Sequence, residues 1–196
     1  MSPVSPIACI FVQNKTMKKT ITVFGLIAGV ILSVFLFASA PFMKHVDADS
    51  MATSMYINYT VQLLTFSLIF FAVRQYRDNY NNGVISFGRA FRIGLWISLI
   101  GSAFYVITWA IIYNFIVPDF MDTMCAAQVE SAIKKGASST EIAEIRQQIA
   151  DGKLIYSTWY GFAGVTFLEI FPTGLIVSLV SALVLKRNRK ATAIES

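Results

Sequence analysis

Apolar and polar positions along this chain fall into blocks. Four stretches, Thr20 to Met43, Ser50 to Val73, Ile93 to Pro118 and Leu154 to Leu185, contain between them a single charged residue, Glu169. They are 24, 24, 26 and 32 residues long, and about 20 apolar residues in a helix are enough to cross a bilayer core. The pattern predicts an all-α fold, an integral membrane bundle of four transmembrane helices spanning about residues 20–42, 51–73, 93–117 and 160–185. The lipid bilayer is then the protein's main surrounding.

The polar remainder divides into an N-terminal extension over 1–19, a short loop from Lys44 to Asp49, a middle loop, a segment over 119–153, and a basic tail over 187–196. In the middle loop, Asn81-Asn82-Gly83 predicts a turn, because Asn and Gly tolerate positive φ. Ser86 is placed to cap the following helix. The 119–153 segment reads as two helices broken at Lys134-Lys135-Gly136, with Gly136 as a C-terminal cap. Ser138 and Glu141 have capping-box spacing, and Ile142, Ile145 and Ile149 share one face before Asp151-Gly152, where the second helix is expected to end. An external helical hairpin between helices three and four is the simplest account.

Composition strengthens the membrane assignment. Of 196 residues, 56% are hydrophobic and 14% charged, against about 25% charged in soluble chains. Lys18 and Lys19, an apolar run and Ala38-Ser39-Ala40 have the layout of a secretory signal, but the run is long and Pro41 disfavours cleavage there, so a retained helix is expected. Cys9 and Cys125 lie on opposite sides of the predicted membrane, which argues against a disulfide between them.

Net charge is +5, and its distribution orients the chain. The N-terminal segment, the middle loop and the tail hold 11 of the 16 Lys and Arg residues. Positive residues concentrate on the cytoplasmic side, so both termini are expected to be cytoplasmic in a cell (cytoplasmic) membrane. No nucleic-acid partner is needed to explain the charge. Anionic lipid headgroups fit it, with Arg74, Arg77, Arg89 and Arg92 as the contacts.

Small residues recur every fourth position at Gly25, Gly29 and Ser33, at Gly94 and Ser98, and at Gly174, Ser178 and Ala182. Helices in lipid associate through close backbone approach, so these stripes predict a packed bundle, or a seam with a second copy or another membrane protein.

Glu169 is the one ionisable group within a span, and such a residue is a functional candidate by default. At about 1.5 Å per residue it lies about 24 Å from the cytoplasmic edge, level with Asn58 and Trp109. A polar layer of Glu169, Asn58, Trp109 and Tyr105 is expected, beside a kink at Pro172 and Gly174. Such an arrangement resembles proton or cation sites in small ion-coupled or lipid-handling transporters. The plainer reading, a carboxyl that locks helix packing, is favoured, because carrier sites sit near the midplane with several polar partners.

His45, Asp47 and Asp49 form only a weak metal pattern, and a solvated loop is expected in place of a site. No H-E-x-x-H, G-x-S-x-G or Gly-rich phosphate loop occurs. A non-enzymatic protein without cofactor or metal is expected, acting as a structural or interaction subunit.

Three blocks carry a family likeness. They are Phe70-Phe71-Ala72-Val73-Arg74-Gln75-Tyr76-Arg77-Asp78, then Gly83 to Gly94, and Thr166 to Leu179 with Leu168-Glu169-Ile170-Phe171-Pro172 at its centre. With Phe104 to Trp109 and Pro118-Asp119-Phe120, they resemble bacterial membrane proteins of domain-of-unknown-function family 4199. The resemblance covers roughly Tyr56 to Lys190 and implies four spans in the cytoplasmic membrane, with no established activity. Members tend to begin Met-Lys-Lys, here Met17-Lys18-Lys19.

Overall fold

Helix α1 (Pro6–Met43) begins well before the apolar run. Pro6 opens it, a position where the missing amide costs nothing because first-turn amides have no helical partner. The lysines that follow are good helix formers, so residues 6–19, expected as a separate extension, continue the helix. This computed structural model describes residues 6–44 and 48–187; His45 and Asp47, and the side chains of Asp49 and Cys9, lie outside the described set.

The second apolar stretch was expected as one helix ending at Val73. It forms α2 (Ala48–Phe66) and α3 (Leu68–Tyr80), separated at Ser67. There the Ser67 hydroxyl donates to the Leu64 carbonyl at 2.6 Å, and the Phe70 amide turns to the Ser67 carbonyl. A side chain bonding back to the preceding turn competes with the regular ladder and interrupts it. Beyond Val73 the helix runs on through Arg74 to Asp78, which the sequence reading placed at the water boundary. Asn82 and Gly83 then take φ of 53° and 73° and reverse the chain.

Helix α4 (Phe87–Phe115) follows, then α5 (Phe120–Lys134), α6 (Ser139–Tyr156) and α7 (Trp159–Leu185). Gly136 ends α5 with φ of 82°. Its amide bonds the Ile133 carbonyl and that of Ala137 bonds Ala132, which is the Schellman arrangement. Ser138 and Glu141 form the full capping box. The second end expected for this segment is corrected: Gly152 lies inside α6, which continues to Tyr156. The apolar run Leu154-Ile155-Tyr156 supports another turn, and Lys153 makes an ion pair with Asp122 of α5. Gly161, at the start of α7, has no room for a side chain, because a Cβ there would collide with the Ile155 carbonyl.

Two compact units emerge. One comprises Leu63–Gly101 with the chain up to Gly29 and the chain from Phe171. Its centre is a reciprocal contact between α4 and α7. A Cβ on Gly94 would lie 2.7 Å from the Ser178 hydroxyl, and a Cβ on Gly174 would lie 2.7 Å from the Ser98 hydroxyl. Each serine donates to the carbonyl of the glycine four residues before it, at 2.9 and 2.7 Å, and the two hydroxyls are 3.1 Å apart. Phe66 fills the space over Gly101. Ile85 and Arg187 exchange amide bonds, tying the middle loop to the end of α7.

The second unit comprises Val30–Gln62 and Ser102–Ile170. Ser33 of α1 meets Thr108 of α4 at 2.8 Å. Tyr113, Tyr156 and Phe162 form a three-ring cluster with centroids 5.2 to 5.8 Å apart.

In both units polar side chains lie among the buried apolar ones, and large apolar side chains also face outward. Gln62, Ser98, Ser102, Thr166 and Ser178 are fully buried, while Val34, Phe37, Leu64, Ile107, Leu168 and Val184 stand exposed. Water would penalise such a surface; hydrocarbon does not.

Gly94→Val or Gly174→Val should destabilise the protein by about 1–3 kcal/mol through overpacking. Gly164→Ala, where a Cβ meets nothing within 4 Å, should not; thermal unfolding in detergent distinguishes the two. The Ser138 amide and hydroxyl hold the Glu141 carboxyl below its usual range. Since the folded value is the lower one, this contribution is complete above about pH 4.3 and is lost as pH falls through the folded value. The Ser138 amide resonance should therefore shift on acidification in wild type, and not in Glu141→Gln.

Candidate functional site

Glu169 lies on α7, on the face shared with Thr166 and Ile170, both fully buried. The Asn58 amide of α2 donates to its Oε1 at 3.1 Å. The Tyr105 hydroxyl of α4 interacts with the same carboxylate and with the Asn58 amide. One carboxylate thus joins three helices within a single unit. Glu169 and Asn58 are half-buried and Tyr105 is buried.

Trp109, expected in this layer, does not join it. Its ring packs edge-on against Phe120 at 4.9 Å, and among the described residues its indole makes no hydrogen bond to Glu169. One turn along the helix from Tyr105, the indole finds the aromatic edge of α5 in place of the carboxylate.

Gln62 and Ser102, not singled out from the sequence, complete the polar interior. Gln62 is fully buried near the Tyr105 hydroxyl, and its side-chain amide has no hydrogen-bond partner among the described residues. The Ser102 hydroxyl is buried with no hydrogen bond among the described residues. A signal existed for Gln62: it stands four residues from Asn58, on the same helix face.

Helix α7 runs unbroken through Pro172, whose side chain is exposed. Gly174 is buried against Ser98, where only a glycine fits. The small-residue positions Gly94, Ser98, Gly174, Ser178 and Ala182 are all buried within the chain. They serve internal packing, so a seam with a second copy would have to use other residues.

The four arginines divide into two pairs. Arg77 grips Asp78 with two nitrogens, at 2.7 and 3.1 Å, and reaches the Leu185 carbonyl at 3.5 Å. This places a cation at the negative end of α7. Arg74 pairs with Asp78 at 3.8 Å. Arg89 donates to Asn81 Oδ1 at 3.2 Å, and Asn81 in turn donates to the Val84 carbonyl. Arg89 and Arg92 both border an open groove of about 450 Å³ at the start of α4.

Elsewhere, Cys125 carries a free thiol whose pKa is raised chiefly by burial, an environment that suppresses the reactive thiolate. Among the described residues no three His, Cys, Asp or Glu side chains converge as metal ligands.

Four helical segments, at 14–43, 52–80 (α2 with α3), 87–115 and 159–185, are long and apolar enough to cross a membrane. With their exposed apolar faces, they suggest an all-helical, multi-pass membrane protein. The chain belongs to the family described as protein of unknown function (DUF4199), which matches residues 23–187. No curated protein and no solved structure matches it.

Glu169→Leu strands the Asn58 amide and should cost about 1–3 kcal/mol. Trp109→Phe should leave the carboxylate contacts intact. Thermal stability in detergent, with the Asn58 side-chain amide followed by NMR, checks both.

Proposed function

We propose that this protein is a non-enzymatic structural or interaction subunit of the bacterial cytoplasmic membrane. Both termini and the middle loop face the cytoplasm, and α5 with α6 forms an external helical hairpin. The observation that carries this reading is that the one intramembrane carboxylate is engaged in packing. Its partners are Asn58 and Tyr105, from two neighbouring helices. An acid tied down in this way stabilises one arrangement of helices, and a stable scaffold is what a structural subunit requires.

The external pair supplies a surface for interaction. Helix α6 has no buried residue, and Lys135, Glu141, Glu144 and Gln148 border a shallow groove of about 450 Å³ at the α5–α6 elbow. Another membrane protein, or a second copy, would meet the molecule there or on the exposed apolar faces. The positive residues of the opposite side meet anionic lipid headgroups.

Glu169→Gln tests the reading. Lowered assembly and stability, with no pH-dependent flux in wild-type proteoliposomes, is the expected outcome. A variant that stays folded in the membrane but loses a pH-dependent ion flux shown by wild type would replace the scaffold with an ion-coupled carrier.

A further inference from the structure

We infer that the groove at the start of α4 is a binding site for a phosphoryl anion, as an anionic lipid headgroup or a free phosphate ester. The inference deepens the proposed function and rests on its cytoplasmic placement of the middle loop.

Two arginines define the groove. Arg89 and Arg92 stand three residues apart on α4, so both guanidinium groups serve one face. Among the described residues neither has an acidic partner. Arg74 and Arg77, one helix earlier, share Asp78. Two cations left without a counterion at the edge of a cavity are an unmet electrostatic demand.

One of them is already held in place. Arg89 uses a single terminal nitrogen on Asn81 Oδ1, itself positioned by its bond to Val84. Its remaining donors are free of that contact, and a pre-positioned guanidinium loses less entropy on binding.

The rest of the lining suits phosphoryl oxygens. Ser86 and Gly88 sit at the N-terminus of a 29-residue helix, where the dipole favours negative charge, and Asn14 of α1 contributes an amide. Donors from two helices and a loop outnumber the two oxygens of a carboxylate and fit the three or four of a phosphate. A Cβ at Gly88, one of the lining residues, would meet nothing within 4 Å, so the groove is open beside it.

The test uses the full chain in detergent, where both faces are accessible, with phosphatidylglycerol and phosphatidylcholine as probes and retained lipid read by native mass spectrometry. Wild type should retain phosphatidylglycerol preferentially. Arg89→Ala and Arg92→Ala should each weaken retention about tenfold, and Gly88→Leu, which disturbs no packing, should do the same by filling the groove. Arg74→Ala should change it less than twofold. Inorganic phosphate binding that needs both arginines, without preference for phosphatidylglycerol, supports the site and assigns it a soluble ligand. Unchanged binding of both probes in the Arg89→Ala/Arg92→Ala double variant and in Gly88→Leu overturns the site. Reporter fusions placing the middle loop outside would overturn the proposed orientation alone, because the detergent measurement does not depend on it.

Discussion

The contact between α4 and α7 is the constraint on which the rest of the structure depends. In hydrocarbon, burying apolar surface yields little, since lipid tails are as apolar as leucine. Two helices gain by approaching closely enough for dispersion contacts and polar bonds to form. Gly94 and Gly174 allow that approach by leaving space where a Cβ would overlap Ser178 and Ser98. Each serine returns its hydroxyl to its own helix and touches the other across the gap. The polar atoms are satisfied without water, and the backbones are held together by groups too small to be moved aside.

The same logic orders the remaining interior. Ser33 with Thr108, and Asn58 with Glu169, are polar pairs between helices in a protein whose outer faces are apolar. At the ends of the helices a different rule applies. There Arg77 meets the last carbonyl of α7, and Gly136 and Ser138 carry out the two halves of a helix-to-helix turn. Where water is present, charges and caps perform the work that small residues perform in lipid.

Glu169 and the arginines show how one residue type serves two purposes. The carboxylate, isolated in the sequence, is built into packing between three helices. Arg74 and Arg77 are neutralised by Asp78 and spent on architecture. Arg89 and Arg92, of the same type and only a loop away, keep their charge facing an open groove. The division follows from a single acid, since Asp78 is the only acidic residue between Asp49 and Asp119.

Much of this was legible without coordinates. Runs with a single charge among them marked the four candidate membrane-crossing segments because lipid excludes ions whatever their neighbours. Caps and turns at Asn82, Gly83, Gly136 and Ser138 were legible because φ preference and side-chain reach are local properties. The break at Ser67, the passage of α6 through Gly152 and the departure of Trp109 from the polar layer were not. The last two depend on a competition between a local preference and a distant partner, the Asp122 carboxylate and the ring of Phe120; at Ser67 a side-chain bond to the carbonyl one turn back competes with the regular ladder. The chain by itself determined which side chains require hydrocarbon and where the local caps and turns fall. Tertiary structure alone decided which glycine faces which serine, which helix supplies the amide for Glu169, and which two of four arginines remain unneutralised, because those choices are made by distances between residues far apart in sequence.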